Sequence, residues 1–489
     1  MGTLPEGQLS THGFHPYRSL GDTPFYYGDF YGDSRLSKRL ASLKAQVYTR
    51  QSLVINQLSS DSAEQKAWYR LLKHKNLQIP KMIYEMINQS QAWQESEHIL
   101  LVEDTRLINY TSLRKRVREA KGLGSTGNYG DKYFGYLMHP TLAIDAQRNF
   151  PVGISDLQLW HKAEEIKRYN DRKGESIPIE KKSSFRWIDG ALQSAKRIGS
   201  SAQLTVVADR EADIYEAICQ WKAAGLDMVI RSQHDRNISE STGKLRAFLD
   251  EQPIAGECEV DIRSDLSGKA RKVHFALQYG AITLKRTPKA HSSGILQYPP
   301  TIPIYALQAV EVGREKPIRW ILLSSHPIDS PKDALKVIQW YKQRWHIEQL
   351  FRLLKSQGLQ LDQLDHEYGE AIVRMGVIAI EAAFRILQLN LSMKTEKQLP
   401  AKWVFTPLQI KFLKILCKKY EGTTQRLQNP YSKEQLQWAA WIIARIGGWK
   451  AGKPKVRPGP ITFKRGWERF SEMSSGINIF LAGTDMEGS

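Results

Sequence analysis

The sequence has few cysteines, no long apolar run and no secretory signal. Its three cysteines, Cys219, Cys258 and Cys417, are widely separated among 489 residues, so they form neither a zinc cluster nor a disulfide framework. No apolar stretch is long enough to span a bilayer, and the first residues lack a basic segment followed by an apolar one. These absences predict a cytoplasmic protein without membrane contact.

Acidic residues are outnumbered by basic ones. The chain has 70 Lys+Arg against 51 Asp+Glu, a formal net charge of +19 and a pI of about 9.6. A surface of this sign favours a polyanionic partner, through counterion release and long-range steering. Charge alone does not distinguish DNA from RNA or from an anionic membrane. The length predicts roughly two to four domains.

Two short aliphatic runs each end in a carboxylate. Asp104 follows the run at 98–103, and Asp209 follows the run at 203–208. Each run predicts a buried strand, and ligand sites collect at the carboxyl ends of strands in an open α/β sheet. A single Asp after an apolar strand is commonly a cap or a turn, so neither residue alone indicates a site.

A third acid, Glu348, lies in a segment whose polar residues share one side of a helix. About 100° per residue places four of them within an arc of roughly 60°: Tyr341, Arg344, Glu348 and Lys355. Together with the two strand-end aspartates, Glu348 completes a plausible carboxylate cage for two Mg²⁺ ions, which prefer oxygen ligands. The alternative is a surface helix held by salt links four residues apart, such as Arg344 with Glu348.

The apolar pattern divides the chain into three regions. Helices are expected at 37–48 and 63–73, ahead of a core in which strands and helices alternate. The interval between Asp209 and Glu348 is longer than one crossover needs, and its alternating segments indicate a β-rich insertion. Strands of this insertion are expected at 258–262, 272–279 and 304–311. Two further helices are expected at 398–419 and 433–446.

These residues together resemble the DDE transposases of the bacterial insertion-sequence-four family. That family's signature is Tyr, two residues, Arg, three residues, Glu, six residues and Lys, which Tyr341 to Lys355 match. The family's first acid follows a strand and precedes a Thr, as Asp104 precedes Thr105. Its second acid lies in an Asp-Arg-Glu-Ala-Asp run, which residues 209–213 match. The likeness extends from about residue 30 to about residue 470.

The resemblance implies an α/β fold with an RNase H-like catalytic core, a β-rich insertion and flanking helical domains. Residues 1–90 would form a helical domain that binds the DNA ends. Residues 91–390 would form the catalytic domain, with the insertion at about 225–330. Residues 391–489 would form a helical dimerisation domain.

The resemblance also implies roles for individual residues. Asp104, Asp209 and Glu348 would be catalytic and would bind two Mg²⁺ ions, with Mn²⁺ as an expected substitute. Trp320 would stack on a flipped base, although a Trp that opens an apolar strand is more often part of a core. Tyr341 would hydrogen-bond a phosphate of the flipped nucleotide. Phosphates near the cut would be held by Arg210, Arg344 and Lys355. Other expected DNA contacts are Arg231, Trp345 (which core packing explains equally well) and, in the N-terminal region, Arg35, Arg39 and Arg70.

The implied activity is cut-and-paste transposition in a bacterial cytoplasm, in association with the nucleoid. A homodimer would bind two transposon ends in a synaptic complex, nick the DNA, form and reopen a hairpin, and join the ends to target DNA. Two alternatives remain. One is a non-catalytic DNA-binding inhibitor of transposition, and the other is an RNase H-fold nuclease that acts on branched or hybrid nucleic acid.

Overall fold

The fold is mixed α/β. A computed structural model of the chain describes residues 31–89, 92–126, 133–161, 179–263, 270–286, 298–355, 358–451 and 457–484. The strands are β1 (His98–Glu103), β2 (Arg106–Asn109), β3 (Gly124–Ser125), β4 (Phe134–Asp145), β5 (Phe150–Trp160), β6 (Gln203–Ala208), β7 (Asp227–Arg231), β8 (Gly256–Arg263), β9 (Ala270–Lys285), β10 (Thr301–Glu311) and β11 (Arg319–Ser324). The helices are α1 (Ser34–Arg50), α2 (Ile55–Leu58), α3 (Ser62–Lys73), α4 (Ile79–Gln89), α5 (Arg186–Ile198), α6 (Tyr215–Ala223), α7 (Leu245–Glu251), α8 (Pro331–Lys342), α9 (Trp345–Leu354), α10 (Gly369–Ser392), α11 (Pro407–Tyr420), α12 (Leu436–Ile446) and α13 (Pro460–Thr484).

The strands of the described residues form one mixed sheet. Its order is β2-β4-β1-β6-β7-β11-β10-β9-β8, with β3 and β5 also paired to β4. β1 is antiparallel to β4 and parallel to β6, and β6 is parallel to β7. A parallel pair needs a crossover, which α6 supplies between β6 and β7. The expected α/β architecture is confirmed at this level.

The two acid-tipped strands are neighbours in the sheet. All but the first residue of both β1 and β6 is buried, as expected for aliphatic strands covered on both faces. Their parallel register places Val102 opposite Val207. Asp104 and Asp209, each two residues further along, therefore lie side by side at the carboxyl-terminal ends of the two strands.

The predicted single helix from Tyr341 to Lys355 is wrong. The chain forms α8 and α9, with a turn at Gln343 and Arg344 between them. Around this turn the backbone N–H groups bond to carbonyls three residues back, a tighter winding than that of an α-helix. Lys355 caps the end of α9 with φ −104° and ψ −117°, which is not helical. Periodicity assumes constant winding and so cannot detect such a break.

The β-rich segment between β6 and α8 extends the central sheet. Its three expected strands are confirmed within β8, β9 and β10. β11 pairs antiparallel with β7 on one side and with β10 on the other. The added strands therefore extend the same sheet that contains the two acid-tipped strands, β1 and β6.

Helices at both ends of the chain pack around α10, in which almost every residue is buried. The expected helices at 37–48 and 63–73 are confirmed within α1 and α3, and Asp61 caps α3 by accepting from the N–H of Glu64. Nearer the C-terminus, α11 begins at Pro407 and α12 at Leu436, later than predicted. Pro407 suits the first turn of a helix but not its interior. The domain boundaries at 90 and 390 stay predictions, since one hydrophobic core crosses both.

Every helix within the described ranges is too short or too polar to cross a lipid bilayer.

Candidate active site

Three acids that are distant in sequence meet around one guanidinium. Nη2 of Arg344 lies 2.7 Å from Oε1 of Glu348 and 3.7 Å from Oδ2 of Asp209, and Nη1 lies 3.7 Å from Oδ2 of Asp104. The three acidic side chains are 27–34% exposed, whereas that of Arg344 is 10% exposed. The acids therefore form a cluster that is open to solvent on one side and held by a largely buried cation on the other.

The expected link between Arg344 and Glu348 is present, because the two are four residues apart across the start of α9. This ion pair is what an ordinary surface helix would also contain. However, the same guanidinium also contacts Asp104 and Asp209, from two other elements. A pair that merely stabilised one helix would not need these contacts, so the geometry favours a shared site.

Asp209 carries the densest set of partners. The hydroxyl of Tyr341, which is buried, donates to Oδ1 of Asp209 at 3.2 Å. Nη1 of Arg231 lies 3.9 Å and Nε of Arg210 lies 4.0 Å from the same oxygen. Two arginines expected to contact DNA therefore flank the second acid.

Asp104 is the acid with the clearest electrostatic perturbation. Burial raises its pKa to about 6, Arg344 opposes the rise, and Glu348 and Asp209 add to it. Three like charges close together favour protonation of one of them. Asp104 therefore stays ionised at neutral pH with a small margin, and another cation in the cluster would stabilise its charged form.

The donor chemistry of the cluster fits a hard divalent cation. Carboxylate oxygens are the ligands that Mg²⁺ prefers, and they bind it at about 2.0–2.1 Å with waters completing the shell. Within the described residues, no group of three or more His, Cys, Asp or Glu side chains is spaced to hold a metal ion as it stands. The Arg344 guanidinium lies among the three acids, with Asp209 and Glu348 at Nη2 and Asp104 at Nη1. Oxygen donors of the kind that Mg²⁺ prefers are thus present, and in this structure they pair with Arg344.

Two other predicted DNA contacts of the Tyr341–Lys355 segment have partners within the protein. Nζ of Lys355 donates to the carbonyl of Leu107 in β2 at 2.8 Å, and Leu107 is three residues beyond Asp104. Burial and the nearby charge of Arg106 lower the pKa of Lys355. Trp345 is partly buried against the hydrophobic core.

Trp320 lies beneath the cluster. It is 4% exposed, with its ring centroid 5.2 Å from that of Phe275 and 5.4 Å, edge-on, from that of Tyr341. This is the placement of a core tryptophan in the protein without DNA. Stacking on a flipped base stays a prediction and requires this ring to be uncovered.

Away from the cluster, three other expected DNA contacts are exposed on α1 and α3: Arg35, Arg39 and Arg70.

The three acids of the run at 209–213 have different partners. Asp209 faces the cluster. Oε2 of Glu211 lies 2.6 Å from Nη2 of Arg186. Asp213 is buried and organises the loop after β7: it accepts hydrogen bonds from the backbone of Gln233, and its Oδ1 lies 2.6 Å from Nη2 of Arg236. Glu211 and Asp213 thus have structural partners, for which their spacing after Asp209 is the sequence signal.

Asp209, Tyr341, Arg344 and Glu348 all fall within one segment that has recognisable relatives. Residues 188–383 match a family model described as Transposase DDE domain. The match supports a DDE transposase, and with it an enzyme that cleaves DNA and transfers strands. Asp104 precedes the matched range, so its inclusion in the transposase site depends on the geometry above. The large mixed sheet with many helices is compatible with this fold.

Proposed function

We propose that the protein is a cut-and-paste DNA transposase of the insertion-sequence-four type, with Asp104, Asp209 and Glu348 as its catalytic acids. The observation that carries the proposal is the convergence of these three carboxylates on Arg344. Two of the acids lie in the segment that matches the transposase DDE domain. The third joins them through the register of β1 and β6.

An RNase H-like core is part of this proposal. The strand order β5-β4-β1-β6-β7 combines antiparallel strands on one side with parallel strands on the other. Asp104 and Asp209 follow β1 and β6, which are neighbouring parallel strands of this set. Ligand sites in α/β sheets lie at this carboxyl edge, which supports the assignment.

Two Mg²⁺ ions, or Mn²⁺ in their place, are the proposed cofactors, held by Asp104, Asp209 and Glu348. When bound, such ions lower the pKa of water and neutralise charge on the oxygens that attack and leave in phosphoryl transfer. The protein's own contribution is to hold the three carboxylates in place and to supply cations for the phosphates.

Arg344 is the residue whose role changes most between the free and DNA-bound states. In the free protein its charge is neutralised by the three acids. A phosphate offers the same guanidinium a bidentate partner. We propose that Arg344 transfers from the acids to DNA, which frees the carboxylates for metal ions. Arg210, Arg231 and Lys355 would hold neighbouring phosphates, and Tyr341 would bond to a phosphate instead of Asp209.

The proposed reaction sequence uses one site repeatedly. Attack by water on the phosphodiester at a transposon end releases a 3′-OH. This hydroxyl attacks a phosphodiester of the opposite strand to form a hairpin, with Trp320 stacking on a flipped base, and the flanking DNA leaves with a 3′-OH. Water hydrolyses the hairpin phosphodiester and regenerates the 3′-OH, which then attacks a target phosphodiester and releases a 3′-OH of the target strand. The substrates are double-stranded transposon ends and target DNA, bound by a homodimer in a synaptic complex.

The proposal is tested with Asp104→Asn, Asp209→Asn and Glu348→Gln. Each is expected to lower Mg²⁺-dependent cleavage of DNA carrying the inverted repeats that flank the gene by at least about 1000-fold, or about 4 kcal/mol in the barrier. End binding, measured by gel shift, is expected to survive because the cations remain. Asp365→Asn and Glu434→Gln remove exposed acids from surface ion pairs and serve as matched controls.

Cleavage retained in any purified variant of the three acids would remove that acid from the site. Binding of the ends without cleavage by the native protein would favour the inhibitor. Cleavage of RNA–DNA hybrids in preference to the ends would favour the nuclease.

A further inference from the structure

Arg186, the first residue of α5, is a buried cation with three directed hydrogen bonds. Its Nε donates to Oγ1 of Thr105 at 2.8 Å, its Nη2 to Oε2 of Glu211 at 2.6 Å, and its Nη1 to the carbonyl of Ser183 at 2.8 Å. The residue is 8% exposed. A buried guanidinium is retained at such a position only when its donors are satisfied, because desolvation of the charge is unfavourable.

Two of these bonds join the loops that carry the first two acids. Thr105 directly follows Asp104, and Glu211 lies two residues after Asp209. The ladder between β1 and β6 ends at Val102 and Val207, before either acid. Beyond the end of the ladder, Arg186 links the two loops through a planar group of fixed width.

Each acid is fixed to its own loop, so the link reaches the carboxylates. Oδ1 of Asp104 accepts the backbone N–H of Thr105 at 2.8 Å, and Oδ1 of Asp209 accepts that of Arg210 at 2.8 Å. Movement of Thr105 relative to Glu211 would therefore change the separation of the two carboxylates.

Packing around Arg186 and Thr105 limits such movement. The guanidinium carbon lies 5.1 Å from the ring centroid of Trp187 and 5.7 Å from that of Trp160. Oγ1 of Thr105 also lies 2.9 Å from Nδ1 of His139, which is fully buried. The His139 ring itself packs edge-on against Trp187 and Trp160, so the link is held by one cluster of buried rings.

We propose that Arg186 is a positioning residue that sets the separation of Asp104 and Asp209 and thereby the affinity of the site for divalent ions. Its hydrogen bonds reach Thr105 and Glu211 rather than the two aspartates themselves, although its charge also lies near Asp104. This inference rests on the proposed function, because it assumes that the two aspartates bind the ions.

The test measures Mn²⁺ binding to the full-length protein with bound end DNA by the EPR signal of free Mn²⁺, alongside cleavage. Arg186→Gln is expected to raise the half-saturating Mn²⁺ concentration by about 10–100-fold, the usual effect of removing a residue that orients metal ligands. Arg186→Lys is expected to fall between Gln and native, because an ammonium keeps the charge beside Glu211 but lacks the fork that bonds Thr105 at the same time.

Arg197→Gln is the matched control. Arg197 lies near the other end of α5 and is about as buried as Arg186, and its Nη1 is 2.8 Å from Oδ1 of the buried Asp156. It is expected to lower stability while leaving Mn²⁺ half-saturation unchanged. If Arg186→Gln does not fold, Glu211→Gln breaks the same link from its exposed end and is expected to raise half-saturation as well.

The inference would be overturned if folded Arg186→Gln or Glu211→Gln protein had the same half-saturating Mn²⁺ concentration as the native protein. Asp104→Asn and Asp209→Asn distinguish this failure from failure of the proposed function. If both aspartate variants bind Mn²⁺ as the native protein does, the metal site itself is wrong and the inference falls with it. If they lose binding while the variants of the link keep it, the inference alone fails.

Discussion

Asp104 shows how a single residue can serve a site at the expense of stability. Burial raises its pKa to about 6, and the neighbouring acids add to the rise. Ionisation of Asp104 therefore opposes folding, since the unfolded chain ionises at an ordinary pKa of about 3.9. The penalty is absent at low pH, grows as pH rises from about 4 to about 6, and is constant above that. A residue selected for packing would not be expected to carry this penalty.

Asp104→Asn is expected to stabilise the protein by about 1–3 kcal/mol at pH 8 and by less than about 1 kcal/mol at pH 4. At pH 8 we expect a gain near the lower end of this range, because about a quarter of the side chain is exposed to solvent. Urea unfolding at the two pH values, in the presence of EDTA, measures the gain. An equal gain at both pH values would contradict the raised pKa, and Asp365→Asn is the exposed control.

Among the elements, α10 organises the packing of the N-terminal helices. Lys44 of α1 is largely buried, with its Nζ 3.3 Å from Oε1 of Glu85 in α4 and 3.2 Å from Oε2 of Glu381 in α10. A guanidinium nitrogen of Arg374 in α10 also donates to the carbonyl of Leu72 in α3. The basic N-terminal helices are thus attached to the same helix that supports the core.

Lys44→Met is expected to destabilise the protein by about 3–5 kcal/mol, because it leaves Glu381 buried without its cation. Lys414→Met is the matched control: Lys414 forms an exposed ion pair with Glu434, whose loss is expected to lower stability by less than about 1 kcal/mol. Both losses are read from urea unfolding curves. Similar small losses in the two variants would show that α1 is held by apolar packing alone.

At the scale of the whole molecule, a cluster of acids lies within a protein of net charge +19. Such a cluster repels DNA unless cations compensate it, and Arg210, Arg231 and Arg344 lie within about 4 Å of its carboxylates. Under the proposed function, the overall charge would attract the polyanion, and these arginines would allow it to approach the acids. Long-range attraction and local chemistry would then be supplied by different residues.

Binding of end DNA is expected to weaken steeply with salt, by about 10³–10⁵-fold between 50 and 200 mM if six to ten phosphates are contacted. Arg210→Gln is expected to reduce the slope of log affinity against log salt by about 1, because it removes one phosphate contact. Fluorescence anisotropy across a salt series measures both. A native slope near zero would contradict phosphate-driven binding, and an unchanged slope in the variant would remove Arg210 from the interface.

The amino-acid sequence by itself determined the local elements that carry the acids. A strand covered on both faces is a short continuous aliphatic run, whereas burial repeats every two residues in a half-covered strand and about every 3.6 in a helix. The runs ending in Asp104 and Asp209, and the segment bearing Glu348, could therefore be recognised without coordinates. The β-rich interval before α8 could be recognised for the same reason.

The tertiary structure alone decided what those elements do together. The guanidinium of Arg344 among three acids and the link from Arg186 to Thr105 depend on contacts between segments far apart in the chain. The change of winding at Gln343 interrupts a periodicity that the sequence pattern continues. A periodic pattern records which side of an element is buried, not which other element covers it. The sequence therefore indicated the acids, whereas only the folded chain showed what holds them at their separation.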